Sequence, residues 1–431
     1  MNVLKIRPID PLMIRDGRPF EAAPGVRAHT MTDVVPSTLA GSIRTLLGKV
    51  STDSSLSEED VKQLEHKNLH RIVVRGPLYE YKGIVYYPIP QDVGFYTDKD
   101  SGELCVNIRR PALLNEGEGY FGTGRNGLYD QMWPALSAHK HKPAMSSPSY
   151  MSAEWMTRWL CDLLTEKDWR RELSRWDRRA KTVDMSKQLA QDDSSEKGKA
   201  GLSFEDTDHF LSSFPVQETV HTAIQPDSRT AKDKMLFSTE SLILPDGMNL
   251  LAEIDVKLAH LKWPVDLSEI HSLGGKRGLA HFYETEQATY WSCPTEILDA
   301  LHDAGDPSYI RMVLATPAYF SKGWLPGGFN EQLVYENAWG SGVDLQLCWA
   351  CVPRWQPVSG WHHHLEEKSV RRMVPAGSVY FFKVLKGDAQ DLVTKNWLKS
   401  VSDLNRRKEA FDKDDGFGLA LWGLWSPMIL I

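Results

Sequence analysis

Cysteine is scarce in this chain. Cys105, Cys161, Cys293, Cys348 and Cys351 are all that its 431 residues contain. An odd, low count argues against a disulfide framework and fits a reducing compartment. Positive charge is not in excess either, since the formal net charge is −7. A free-standing, non-specific nucleic-acid binder is usually basic, because phosphate neutralisation supplies most of such affinity. Long apolar runs are missing. No uninterrupted stretch approaches the roughly 18 residues of a membrane span, and MNVLKIRPIDPL carries charge among its first residues, unlike a secretory signal. The expectation is a soluble cytoplasmic protein with no membrane partner.

The usual catalytic signatures are absent too. There is no G-x-S-x-G and no H-E-x-x-H. The stretch HSLGGKRGLAHF, from His271 to Phe282, is rich in glycine and cations, but Arg277 follows Lys276 where a Walker A loop needs a hydroxyl. PVDLSEIHSL reads as a short helix and LAHFYETE as a strand, so the loop runs from helix to strand, the reverse of mononucleotide loops. Two readings stay open. The loop is a glycine helix C-cap whose basic residues favour the C-terminal dipole, or it is a backbone cradle for phosphate. CWAC at Cys348–Cys351, with His362, His363 and His364 nearby, has metal-like spacing. Zinc needs four reachable ligands and no second C-x-x-C exists, so the cysteines read as small packing residues of an alternating strand. No metal and no cofactor are expected. A metal-free ribonuclease needs only one His with a Lys or Tyr. His221 in VHTAI is the best candidate, although a histidine in or beside a strand is usually structural.

What is present is an α/β mixture long enough for two cores. NVLKIRPI alternates as a half-buried strand. PSTLAGSIRTLLGKV reads as a helix that Ser37 or Thr38 can cap, with Leu39, Ile43, Leu46, Leu47 and Val50 on one face and Arg44 off it. Gly41 and Ser42 keep the backbone thin there. RIVVRGPLYEY and GIVYYPIP follow as strands, giving most of a ferredoxin-like unit. Residues 154–181 read as one helix ending in a cationic run, and residues 184–201 are polar and poor in aromatics. After them TVHTAI and KMLFSTESLIL flank a hairpin tip, Leu250 to Leu258 alternate as a strand, PTEILDALHDA is helical, and YIRMVLATPAYF, VDLQLCWACV and SVYFFKV are strands. The expected class is α+β, with two ferredoxin-like (RRM-like) domains, antiparallel sheets and insertions. The expected division is 1–183, a linker or insertion at 184–213, and 214–431 with the glycine-rich loop. Locally the first fifty residues are basic: Lys5, Arg7, Arg15, Arg18, Arg27, Arg44 and Lys49 outnumber Asp10, Asp16, Glu21 and Asp33.

Seven motifs in order, PLMIRDGRPF, VPSTLAGSIRTLLG, VHTAIQPDSRTAKDKMLF, LGGKRGLAHF, LATPAYFSKGWLP, VPAGSVYFF and GFGLALWG, resemble the third subunit of the Cmr module. That is a RAMP-superfamily protein of type III-B CRISPR–Cas effector complexes. The resemblance spans nearly the whole chain. It implies two ferredoxin-like domains and a non-catalytic subunit that holds the repeat-derived 5′ handle of the crRNA. It also implies docking on the large polymerase-like subunit and on the first backbone subunit, with target RNA met only indirectly. On this resemblance the RNA-binding residues are Arg15, Arg18, Ser37, Thr38, Gly41 and Arg44, with Asp16 and Gly17 in the same motif. Gly274, Gly275, Lys276, Arg277 and Gly278 form the glycine loop, and Gly416 and Gly418 fall in the C-terminal glycine segment. A guide-processing endoribonuclease of the same superfamily is the competing reading.

Overall fold

The computed structural model describes residues 1–15, 25–50, 69–113, 132–137, 141–177, 209–225, 227–256, 263–286, 289–305, 308–362, 366–367, 370–403 and 414–429. The principal elements, in chain order, start with β1 (Asn2–Pro8), α1 (Pro36–Val50), β2 (Ile72–Tyr81), β3 (Ile84–Pro88) and α2 (Ala153–Leu160). Then come β4 (Val216–Ile224), β5 (Ala231–Leu242), β6 (Met248–Val256), β7 (Ser268–Ser272) and β8 (Leu279–Thr285). The last are α3 (Thr295–Asp303), β9 (Tyr309–Leu314), β10 (Asp344–Cys351), β11 (Val379–Lys386), α4 (Ala389–Asn396) and β12 (Ala420–Leu424).

The first sheet runs β7-β8-β1-β6-β2-β3 and continues into two short strands, Tyr150–Ser152 and Phe210–Leu211. β6 lies antiparallel to both β1 and β2, so β1 and β2 are parallel, with α1 as their crossover. The second sheet has β10-β11-β9-β12 after a short edge strand. There β9 separates the parallel pair β11 and β12, which α4 connects. Each sheet therefore contains the split βαβ arrangement of a ferredoxin-like fold, as the sequence leads one to expect.

α1 forms where its apolar spacing predicts. Leu39, Ile43 and Leu47 pack with Leu4, Ile6, Leu250 and Phe282 on one face of the first sheet. Each such side chain is worth about 1.5–3 kcal/mol of burial. The opposite face, through Val3, Leu78, Val85 and Leu251, joins one continuous core with Met312, Phe382 and Trp422 of the second sheet. Among the described residues no helix is long and apolar enough to cross a membrane.

Three expectations change. A division at 184–213 does not separate the sheets: β6, β7 and β8 follow it in sequence yet complete the first sheet beside β1 and β2. The glycine loop, expected in a second domain, thus belongs to the first sheet. The physical reason is that β1 needs two partners, and the chain supplies them only after its long excursion. Secondly, PVDLSEIHSL holds β7, not a helix. This is an edge strand in which His271 alone is buried, so it lacks the alternation that announces a strand. Thirdly, the helix expected over 154–181 is broken. α2 stops at Leu160, Asp162 has φ 58°, and residues 166–177 form a new helix. Thr165 and Asp168 form its capping box: Thr165 N donates to Asp168 Oδ2 at 3.0 Å and Asp168 N donates to Thr165 Oγ1 at 3.3 Å. The 184–201 segment and the end of the cationic run lie outside the described residues.

Candidate nucleic-acid interface

The glycine loop is the turn between β7 and β8, which pair from Ser268↔Tyr283 to Ser272↔Leu279. It is therefore a β-hairpin tip and not a helix C-cap. Leu273 N donates to Gly278 O at 2.7 Å, and Gly278 N donates to Gly275 O at 3.2 Å. Between them Lys276 and Arg277 have φ of 56° and 55°. Two successive left-handed residues define a type I′ turn, whose usual occupants are Asn-Gly. For a residue with a Cβ this conformation costs about 1–2 kcal/mol. Both side chains are exposed.

The glycines before this tip serve the backbone. The segment after Pro11 crosses directly over them, and Gly275 N donates to Met13 O at 2.6 Å. Gly274 has φ 78°, and a Cβ there would lie 2.7 Å from the same carbonyl, so only glycine fits. The crossing segment is itself fixed on both sides. Leu12 and Leu242 exchange backbone hydrogen bonds at 2.9 and 2.7 Å, and Arg15 bridges Thr30. Arg15 is half-buried, two residues beyond Met13. Asp16, Gly17 and Arg18 lie outside the described residues.

Lys276 folds back onto the ribbon of β4 and β5. Its ammonium donates to Thr239 Oγ1 and lies 3.3 Å from His221 Nε2. Thr239 Oγ1 is 2.9 Å from the same ring nitrogen. An ammonium has only donors, so Nε2 accepts, which assigns the ring proton to Nδ1. The His221 ring stacks on Phe237, its cross-strand partner, at 5.2 Å. Burial against the ribbon holds the Lys276 ammonium below the usual lysine range. Arg277 projects from the exposed tip.

α1 joins the same surface. Ser42 Oγ donates to Ser272 O at 2.6 Å, tying the helix to the end of β7. Gly41 is exposed, with open space where a Cβ would stand. Ser37 and Thr38 are half-buried in the first turn of the helix, whose leading residue, Pro36, lines the inter-sheet cleft. Arg44 does not join. The expected position off the apolar face is wrong: Arg44 is buried, its Nη1 lies 2.5 Å from Asp415 Oδ1, and its Nε and Nη2 donate to Ile72 O at 3.0 and 2.8 Å. Its guanidinium fastens α1 to the segment that carries Gly416 and Gly418. Gly416 has φ 93°, and a Cβ there would collide with the carbonyl of Gly76 in β2. Gly418 N donates to Pro317 O at 2.7 Å. The C-terminal glycines thus clasp the two sheets together.

The structure accordingly holds the glycine loop against Met13 of the segment that leads to Arg15, ties Ser42, next to Gly41, to the strand before the loop, and diverts Arg44. Sequence reasoning missed Thr239 and the pairing of His221 with Lys276, which no local spacing could reveal. Cys348 and Cys351 both lie in β10, where burial pushes each thiol up to about 12. Among the described residues no three His, Cys, Asp or Glu side chains gather as a metal would require. His363 and His364 lie outside the described residues.

Among curated proteins none matches this chain. Solved structures give distant likenesses. A chain of the type III-B Cmr-beta complex bound to cognate target RNA and AMPPnP is 14% identical, with TM-score 0.39, over 88% of this chain and 86% of that one. A chain of the same complex bound to cognate target RNA is 13% identical, with TM-score 0.41 over the same shares. A chain of a Csm3-Csm4 subcomplex from the type III-A CRISPR-Cas interference complex is 11% identical, with TM-score 0.34, over 88% and 92%. The family model described as CRISPR-associated protein (Cas_Cmr3) matches residues 4–425. With nearly its whole length matched, the chain belongs to the Cas_Cmr3 family of CRISPR-associated proteins.

Proposed function

We propose that the chain is a non-catalytic, RNA-binding subunit of a type III-B effector complex that holds the repeat-derived 5′ handle of the guide RNA. Membership of the family makes it a component of a type III CRISPR effector. The observation that carries the finer reading is the hairpin tip: Lys276 and Arg277 stand exposed in a strained turn. Cations without a base pocket of their own suit phosphate, which positions RNA without reading its sequence. A net charge of −7 is compatible with this role because the cations are local. The other faces then meet proteins, namely the large polymerase-like subunit and the first backbone subunit, and target RNA is met only through the guide.

The test is the affinity of the chain, with its large partner, for handle RNA across a salt series. Each phosphate contact on single-stranded RNA contributes about 0.7 to the slope of log affinity against log salt. The double change Lys276→Ala, Arg277→Ala should flatten the slope by about 1.4 and weaken all handle sequences alike. An unchanged slope sinks the reading.

The second reading, a guide-processing endoribonuclease, is favoured by one observation, the 3.3 Å approach of Lys276 Nζ to His221 Nε2. A neutral imidazole with a cation beside it is the minimum equipment for metal-free attack by a ribose 2′-hydroxyl.

A further inference from the structure

A cleft of about 540 Å³ opens between the two sheets, a size typical of small-ligand sites. Tyr79 and Tyr150 line it from the first sheet, Ala315 and Pro317 from the end of β9. Six of its lining residues are prolines, whose fixed φ keeps the walls in place. Its lining contains one charged residue, Asp33. Asp33 Oδ1 accepts from the Tyr150 hydroxyl, Oδ2 accepts a long bond from Thr32 Oγ1 at 3.3 Å, and the Tyr79 hydroxyl stands close by. A carboxylate has about four acceptor positions, so this one keeps capacity for a donor entering the cleft. The same negative charge, with no cation among the described lining residues, disfavours a phosphate in the interior.

The rim is of opposite character. Gln356 lines the cleft, and the residue before it, Trp355, is 41% exposed. The guanidinium groups of Arg372 and Arg354 stand 5.0 and 6.0 Å from the centre of its ring, and both arginines are exposed. Exposed aromatics interleaved with cations are how proteins track a single strand, through base stacking and phosphate attraction. An interior with an acceptor and a basic, aromatic rim together match a nucleotide whose base goes in and whose phosphates stay out.

We propose that this cleft seats one guanine base turned out of single-stranded RNA, with Asp33 accepting from its N–H edge and Arg354, Trp355 and Arg372 holding the flanking chain. Guanine is the base whose Watson–Crick edge offers a ring N–H beside an exocyclic amine. Unstacked bases are commonly read on that edge. The inference rests on the reading of the protein as an RNA holder, and it adds a base-specific contact to a site that otherwise reads only phosphate.

The experiment measures fluorescence anisotropy of the full chain with a short oligouridylate, and with the same oligonucleotide carrying guanine or inosine at each position in turn. One position should bind about tenfold tighter with guanine. Inosine, which lacks the amine, should forfeit most of that gain. Asp33→Asn should remove the preference while leaving oligouridylate binding in place. Should that variant fail to fold, guanosine against inosine as free nucleosides, read by thermal stabilisation of the unaltered protein, decides the same point. Trp355→Ala with Arg372→Ala should weaken every oligonucleotide alike. Binding that is blind to base at every position overturns the inference and leaves the RNA-holding reading intact. Failure to bind any oligonucleotide also overturns the inference, and the salt series with the large partner and handle RNA then decides the RNA-holding reading by itself.

Discussion

Lys276 Nζ and His221 Nε2 lie 3.3 Å apart although 55 residues separate them in the chain. β4 and β5 bring the imidazole to the hairpin tip, and Thr239 completes the cluster by accepting from the ammonium. The geometry permits two roles, and cleavage separates them. On the RNA-holding reading, the purified chain incubated with repeat RNA and a chelator should leave the RNA intact. Specific cuts that vanish in both His221→Ala and Lys276→Ala would instead establish the ribonuclease.

Strain at the tip gives a second test. Arg277 occupies a left-handed position that glycine adopts without penalty. Arg277→Gly should therefore raise stability by about 0.5–1 kcal/mol in urea unfolding, after the added freedom of the unfolded chain is discounted. The same change should weaken RNA binding and lower the salt slope by about 0.7. A variant that loses stability would show that Arg277 packs instead of projecting.

Arg44 is expected to act on folding and not on RNA. Its ion pair with Asp415 is buried on both sides. Removing one member of such a pair costs about 3–5 kcal/mol, because a charge is left unpaired. Arg44→Ala should lower stability by that amount and loosen the 414–418 segment in hydrogen exchange. An Arg44→Ala protein of normal stability that binds RNA poorly would return this residue to the interface.

A buried network ties the second sheet to the strands beside it. Arg311, 2% exposed, lies 3.3 Å from Asp92 Oδ2 and 3.5 Å from Asp162 Oδ1. Desolvation outweighs the guanidinium and raises the Asp92 carboxyl to about 6. A folded-state value above the unfolded one means that the folded protein binds a proton the unfolded chain has released. The contribution is fully present below about pH 4 and is lost as pH rises through 6, by about 3 kcal/mol. Asp92→Asn should remove this dependence, because an amide does not titrate. The check is the unfolding free energy of the variant minus that of the unaltered protein, which should increase from pH 4 to 7. A difference that stays flat contradicts the assignment.

The sequence by itself determined the local elements whose periodicity is strong and the family to which the chain belongs. α1 is announced by Leu39, Ile43 and Leu47 and begins at Pro36, because helical spacing of apolar groups is a local property. β6, β9 and β11 are legible from runs of apolar residues in the same local way. The motif order pointed to a type III CRISPR subunit, and the family match bears this out. Tertiary structure decided everything that depends on partners distant in the chain. β7 carries one buried side chain, so only its pairing with β8 makes it a strand. Arg44 reads as a surface cation until Asp415 is folded against it. The first sheet draws β6, β7 and β8 from beyond the insertion because ladder hydrogen bonds ignore sequence distance. The glycines of the loop are visible in the sequence, but their reason, the crossing carbonyl of Met13, exists only once the chain has returned upon itself.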